Sequence, residues 1–152
     1  TPGSVGPKLK LLEEGLARRG DGRKLSDLEV VTNTQLILTD NVKAAIAAVK
    51  PHIALYVGGM GAAGKNFHND AMVDRGFGAE AARIQELYLA GRKDEAAAVI
   101  PDEYIDEGAL IGPEARIAER FPLWRDAGFT LLRLINAGLP EIETIARIAR
   151  KG

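Results

Sequence analysis

The sequence predicts an α/β fold. Two segments, Leu28–Leu38 and Phe129–Ile135, are rich in aliphatic and β-branched residues and too continuous for a one-sided helix, which marks them as strands. The long stretch between them repeats apolar residues at spacings of three and four, the period of amphipathic helices. Strands joined by so long a helical connection are expected to be parallel neighbours linked by a crossover, not the two arms of a hairpin.

Each element follows from local signals. Leu9, Leu12 and Leu16 share a helical face, and the run closes in Arg18-Arg19-Gly20, where basic side chains meet the negative end of the helix dipole and glycine accepts the turn. The polar loop Asp21–Asp27 leads into the first strand. Thr39 or Asp40 is then placed to cap a helix carrying Val42, Ile46, Val49, Ile53 and Val57, and Pro51 should kink it by removing one amide donor. Ala81, Ile84, Leu87 and Tyr88 mark a further helix ending at Gly91, and Asp94–Ile100 begins another that Pro101 interrupts. The middle of the chain is therefore helical, with Ala109-Leu110-Ile111 at most a short extended piece. Gly112-Pro113-Glu114 opens a helix with proline in its first turn and an acidic neighbour. Ile117, Phe121 and Trp124 form its core-facing stripe, and Pro122 should bend it. Gly128 ends that helix, Phe129–Ile135 reads as a largely buried strand, and Pro140 starts a last helix with Ile142, Ile145 and Ile148 on one face. Two strands among so many helices make a poor independent sheet, because both edges stay open. Residues 1–152 thus read as a single partial domain.

Composition narrows the function. A chain of 152 residues can bury one core. Its formal net charge of -1 provides no basic field for a nucleic-acid backbone, so no nucleic-acid partner is expected. The absence of cysteine excludes disulfides, thiolate zinc sites and a cysteine nucleophile. Two histidines, His52 and His68, are too few for most histidine metal sites, and no metal is expected. No apolar run approaches the roughly 20 residues that span a bilayer, and the N-terminus lacks a signal pattern. The expectation is a cytoplasmic protein without a membrane partner. The start at Thr1-Pro2, without an initiator methionine, suggests a processed, trimmed or fragmentary product.

The segment Tyr56–Asp70 gathers glycines, a lysine, amides and one of the histidines, and reads as a ligand loop. Gly59, Gly61 and Gly64 spell G-x-G-x-x-G, while Gly59 through Lys65 spell G-x-x-x-x-G-K. A phosphate loop needs Ser or Thr after the lysine to hold magnesium, and Asn66 stands there. Both nucleotide motifs also require a strand before the glycines, whereas the preceding stripe is helical. Glu80 lies near the distance expected of a ribose-binding acid, but in so charged a chain it lends little support.

Several motifs in order, Tyr56-Val57-Gly58-Gly59-Met60-Gly61, Gly64-Lys65-Asn66-Phe67, Ile84-Gln85-Glu86-Leu87-Tyr88-Leu89-Ala90-Gly91, Glu95-Ala96-Ala97-Ala98, Pro101-Asp102-Glu103 and Gly112-Pro113-Glu114, carry a family resemblance. Together they resemble the C-terminal part of the bacterial luciferase-like flavin or deazaflavin oxidoreductases, near those that use an 8-hydroxy-5-deazaflavin of the coenzyme F420 type. The resemblance runs from about Glu14 to Leu134; His68 departs from the aromatic residue expected beside Asn69. It implies the C-terminal portion of a (β/α)8 TIM-type barrel with a helical insert, here residues 58–107, and assigns Val30–Leu38 and Thr130–Ile135 as its last two strands. A whole barrel runs to about 250 residues, so most catalytic residues would lie upstream of Thr1. The implied activity is hydride transfer between the deazaflavin and a small-molecule substrate, with an FMN-dependent monooxygenase as the alternative on the same fold. The implied assembly of the full-length protein is a homodimer. A non-catalytic helical interaction fragment is the rival from another class, motivated by apolar faces without visible cover.

Barrel sites lie at the C-terminal ends of strands, which selects Thr39, Asp40 and Asn136. From the loop, Gly58 and Gly59 are candidate cofactor or substrate contacts, and Lys65 could hold an anion. Asn66 and Asn69 could hydrogen-bond a carbonyl or a cofactor amide. His68 is the one side chain of the loop suited to general acid–base work. The plainer alternative is that the loop merely joins helices, Lys65 is solvated, and Asn66 or Asn69 caps the next helix. Asp102, Glu103, Asp106 and Glu107 read as a solvated helix face, and His52 as a structural residue.

Overall fold

A computed structural model describes residues 1–62 and 64–151; Ala63, inside the glycine loop, and Gly152 lie outside the described residues. In chain order the elements are α1 (Gly6–Arg19), β1 (Val31–Leu38), α2 (Val42–Ala54), α3 (Phe67–Asp74), α4 (Gly78–Leu89), α5 (Lys93–Val99), α6 (Asp102–Asp106), β2 (Ala109–Gly112), α7 (Glu114–Arg125), β3 (Leu131–Ile135) and α8 (Leu139–Lys151). They fall into two units, 1–40 with 107–152, and 41–106.

The first unit is built on a three-stranded sheet in the order β2-β1-β3. β1 pairs in parallel with β3, Gln35 standing opposite Ile135, as the long helical connection between them implied. It also pairs in parallel with β2, Leu38 opposite Gly112, so Ala109–Gly112 is a true third strand and not just an extended piece. Four residues are too few to show a period, but all four are buried. The buried Thr34 hydroxyl donates to the Gly108 carbonyl (3.1 Å) just ahead of that strand. β1 starts at Val31 instead of Leu28, because Leu25–Asp27 forms a tight helical turn in which the Asp27 carboxylate accepts from the Lys24 amide (2.8 Å).

One face of this sheet packs on helices. Leu36 and Leu110 meet Ile117 and Trp124 of α7 and Ile148 of α8, with Phe121, Leu132, Leu134 and Ile145 filling in around them. The stripe expected on α7 is therefore core, while Ile142 of α8 stays exposed. β3 departs from the expected burial. Its residues alternate, with Leu132 and Leu134 turned to the helices and Leu131 and Ile135 48% and 37% exposed, the pattern of a strand covered on one face. α1 ends at Gly20 in the left-handed conformation (φ 70°), the turn anticipated after Arg18-Arg19. Pro122 lies inside α7, which continues past it to Arg125.

In the second unit α2 is capped by Asn41, whose side-chain oxygen accepts from the Ala44 amide (3.0 Å); neither Thr39 nor Asp40 does this work. Met72, Ala81, Ile84, Leu87, Ala96 and Ile100 are buried there, so α3, α4 and α5 each turn a small apolar face inward. The Lys50 ammonium meets the Asp102 carboxylate (2.5 Å) at the start of α6. Among the described residues no helix is long and apolar enough to cross a membrane, and no group of three or more His, Cys, Asp or Glu could hold a metal ion.

Candidate functional site

α2 does not stop at Ala54 but widens into a π turn, Leu55–Gly59. Pro51 has already removed one amide from its ladder, and single π turns are frequent at functional sites. Gly58 and Gly59 lie on this turn for a packing reason. A Cβ on Gly58 would stand 2.4 Å from Cβ of Tyr88, and one on Gly59 2.5 Å from its Cε1. Only glycine lets α4 approach so closely, and the Tyr88 ring occupies the space in which glycines could cradle a ligand. A Cβ on Gly61 would stand 2.5 Å from the Lys65 carbonyl oxygen, so the loop also closes on itself.

Asn66 joins the two sides of the loop. Its Nδ2 donates to the carbonyls of Tyr56 (3.0 Å) and Val57 (2.8 Å), and its Oδ1 accepts from the amides of His68 (3.0 Å) and Asn69 (3.3 Å). All four hydrogen-bonding positions of the amide are taken, and the residue is 1% exposed. Asn66 thus caps α3 and closes the π turn, leaving nothing for a ligand. The Asn69 amide nitrogen donates to the carbonyls of Val57 (3.2 Å) and Ala81 (2.8 Å), tying α3 to the π turn and α4. Lys65 is exposed and forms no ion pair among the described residues.

His68 is placed differently. Its ring stands edge-on to Tyr56, centroids 4.7 Å apart, and Tyr56 in turn lies 4.7 Å from His52, one helical turn earlier. With Ile53, Val57 and Tyr104 these rings line an open cleft of about 200 Å³. The sequence brought His68 to notice but not its neighbours. The four-residue spacing of His52 and Tyr56 places them on one helical face, a usable signal, whereas nothing local announces Tyr104. His52, read as structural, lines the same cleft as His68.

Asn136 belongs to the first unit, immediately after β3. Among the described residues it is the one non-glycine residue with a left-handed backbone (φ 57°), a conformation that asparagine tolerates better than most side chains. Its side chain is exposed and makes no hydrogen bond to the described residues. Asp40 is exposed beyond the end of β1.

A family model described as luciferase-like monooxygenase matches residues 3–131. A Mycobacterium tuberculosis protein provisionally named a coenzyme F420-dependent oxidoreductase is 38% identical over 141 residues, which cover 93% of this chain and 40% of the relative. The chain thus spans about two fifths of that relative's length. With the family match covering residues 3–131, the chain belongs to the luciferase-like monooxygenase family.

Proposed function

We propose that this chain forms part of a (β/α)8 oxidoreductase that passes a hydride between an 8-hydroxy-5-deazaflavin and a small organic substrate, with residues 58–107 as a helical insert. The observation that carries the reading is the parallel sheet of the first unit. β1 and β3 run the same way in a register that opposes Gln35 to Ile135, so Asp40 and Asn136 follow the strands at one edge of the sheet. In barrels that edge bears the site.

The residues there suit the ring of the cofactor. Its imide edge offers both N–H and C=O groups, which the open amide of Asn136 could meet. The glycine loop fits less well, because Tyr88 fills the space over Gly58 and Gly59 and Asn66 is fully bonded. The bound deazaflavin supplies the hydride chemistry; the protein orients it and excludes water. The name of the relative supports the deazaflavin, and the family's description as monooxygenases motivates FMN as the second reading.

Fluorescence titration of the full-length protein tests the proposal. Saturable binding of the deazaflavin is expected, weakened about three- to tenfold by Asn136→Ala, the worth of one neutral hydrogen bond. Saturation by FMN alone would favour the monooxygenase reading, and binding of neither would remove both. Light scattering of the same preparation is expected to give the mass of a homodimer.

A further inference from the structure

We propose that the cleft at His52, Tyr56, His68 and Tyr104 binds a single planar, uncharged ring with hydrogen-bonding atoms at its edge, the shape and chemistry of a phenol. The cleft lies wholly within residues 41–106, and the inference stands apart from the redox reading.

Its walls set the shape. Tyr56 is flanked by His52 at an interplanar angle of 52° and by His68 at 85°, both at 4.7 Å, and Ile53 and Val57 add aliphatic surface. Rings in such tilted and edge-on arrays accept a further ring on their free faces. The cleft is open, and its volume of about 200 Å³ takes one six-membered ring with a substituent.

The chemistry of the walls sets the polarity. The imidazole nitrogens of His52 and His68 and the hydroxyls of Tyr56 and Tyr104 hydrogen-bond to no described residue, so each can still meet a ligand atom. No Lys, Arg, Asp or Glu is among the residues that line the cleft, and the nearby Arg75 guanidinium is engaged with Tyr104, which favours an uncharged ligand.

The walls are also held in advance. The carbonyls of Tyr56 and Val57 are gripped by Asn66 and Asn69. The Arg75 guanidinium stacks on the Tyr104 ring at 3.9 Å while donating to its carbonyl (2.6 Å). A site fixed before binding loses less entropy when the ligand arrives.

In histidine-labelled protein the imidazole Cε1–H signals of His52 and His68, each assigned by its loss in the corresponding alanine variant, report on the cleft that both residues line. Phenol is the probe, and cyclohexanol the control of similar size that is not flat. Phenol is expected to move both signals along one saturable curve in the millimolar range, with cyclohexanol at least tenfold weaker. Tyr56→Leu should abolish the phenol response with helical circular dichroism unchanged. His52→Ala, at an exposed position, should weaken it severalfold and decides the matter if Tyr56→Leu does not fold. Absence of saturation at tens of millimolar phenol, an equal response to cyclohexanol, or full phenol binding by His52→Ala would overturn the proposal. None of these readouts involves the deazaflavin, so failure of the cofactor titration is a separate result.

Discussion

At Asn66 a residue that attracts attention as a ligand contact is committed to the fold. Replacing it by alanine removes one of the two side-chain donors to the Val57 carbonyl and the side-chain donor to the Tyr56 carbonyl, and uncaps α3. Lost caps cost about 1 kcal/mol and each orphaned buried group about 1–3 kcal/mol. Asn66→Ala is therefore expected to destabilise by roughly 2–4 kcal/mol in chemical denaturation, whereas Lys65→Ala, at an exposed position, should stay within about 0.5 kcal/mol. Equal small effects would show that Asn66 is not the clasp its geometry describes. The sequence made Asn66 visible but not its partners, because all four of its bonds reach backbone groups and backbone groups leave no mark in a sequence. Its plainer reading, a helix cap, was legible; the clasp on the π turn was not. A smaller effect is expected on the surface, where the hydrogen bond from Arg92 holds the Glu95 carboxyl below its usual range. That pair favours the fold above the ordinary carboxylate pKa, and its contribution fades as pH falls through the lowered one. A nuclear magnetic resonance titration should show Glu95 returning toward the ordinary value in Arg92→Ala.

Among the elements, the contact of α4 with the π turn explains two glycines at once and can be isolated by a mutant cycle. A methyl on Gly59 would collide with the far end of the Tyr88 ring, so Gly59→Ala is expected to cost about 1–3 kcal/mol. In a Tyr88→Ala background the obstacle is gone and the same substitution should cost much less, the difference measuring the contact. If both backgrounds lose equally, the glycine is required for its backbone and not for Tyr88. β2 offers a second test. Leu110 is fully buried in the core with Leu36 and Ile117, and Leu110→Ala should cost about 2–5 kcal/mol, too much for a surface connection. The longer helices α1, α2, α4, α7 and α8 were legible because each repeats its apolar residues over several turns, and the strands β1 and β3 because their aliphatic and β-branched residues do not fall on one helical face. β2 was not, since Ala109–Gly112 is shorter than any period that could distinguish a strand from a loop, and its status comes from partners in β1 far away in sequence. The capping of α2 was misplaced by one or two residues for a related reason: Thr39, Asp40 and Asn41 are all competent caps, and the backbone path past β1 decides among them.

For the whole molecule, the question is what faces the uncovered side of the sheet. Val31 and Leu131 stand opposite each other in the β1–β3 register and are 49% and 48% exposed in this chain, and Ile135 further along β3 is partly exposed too. Apolar side chains side by side on a parallel sheet are unusual at a surface, because parallel sheets are ordinarily covered on both faces. The barrel reading supplies the cover: inward-pointing residues from alternate strands stack in layers that fill the interior, and the relative is long enough to provide further strands. The two situations respond oppositely to a charge. In the 152-residue chain, Leu131→Arg places the guanidinium at a half-exposed site and should change stability by less than about 1 kcal/mol. In a full-length protein the same substitution would put an unpaired cation into a packed apolar layer and should cost roughly 3 kcal/mol or more. Thermal or denaturant unfolding of both lengths, with and without the substitution, measures the difference directly. A small effect in both would mean that Leu131 faces water at either length, and the closed barrel, with the cofactor site placed at its strand ends, would have to be given up.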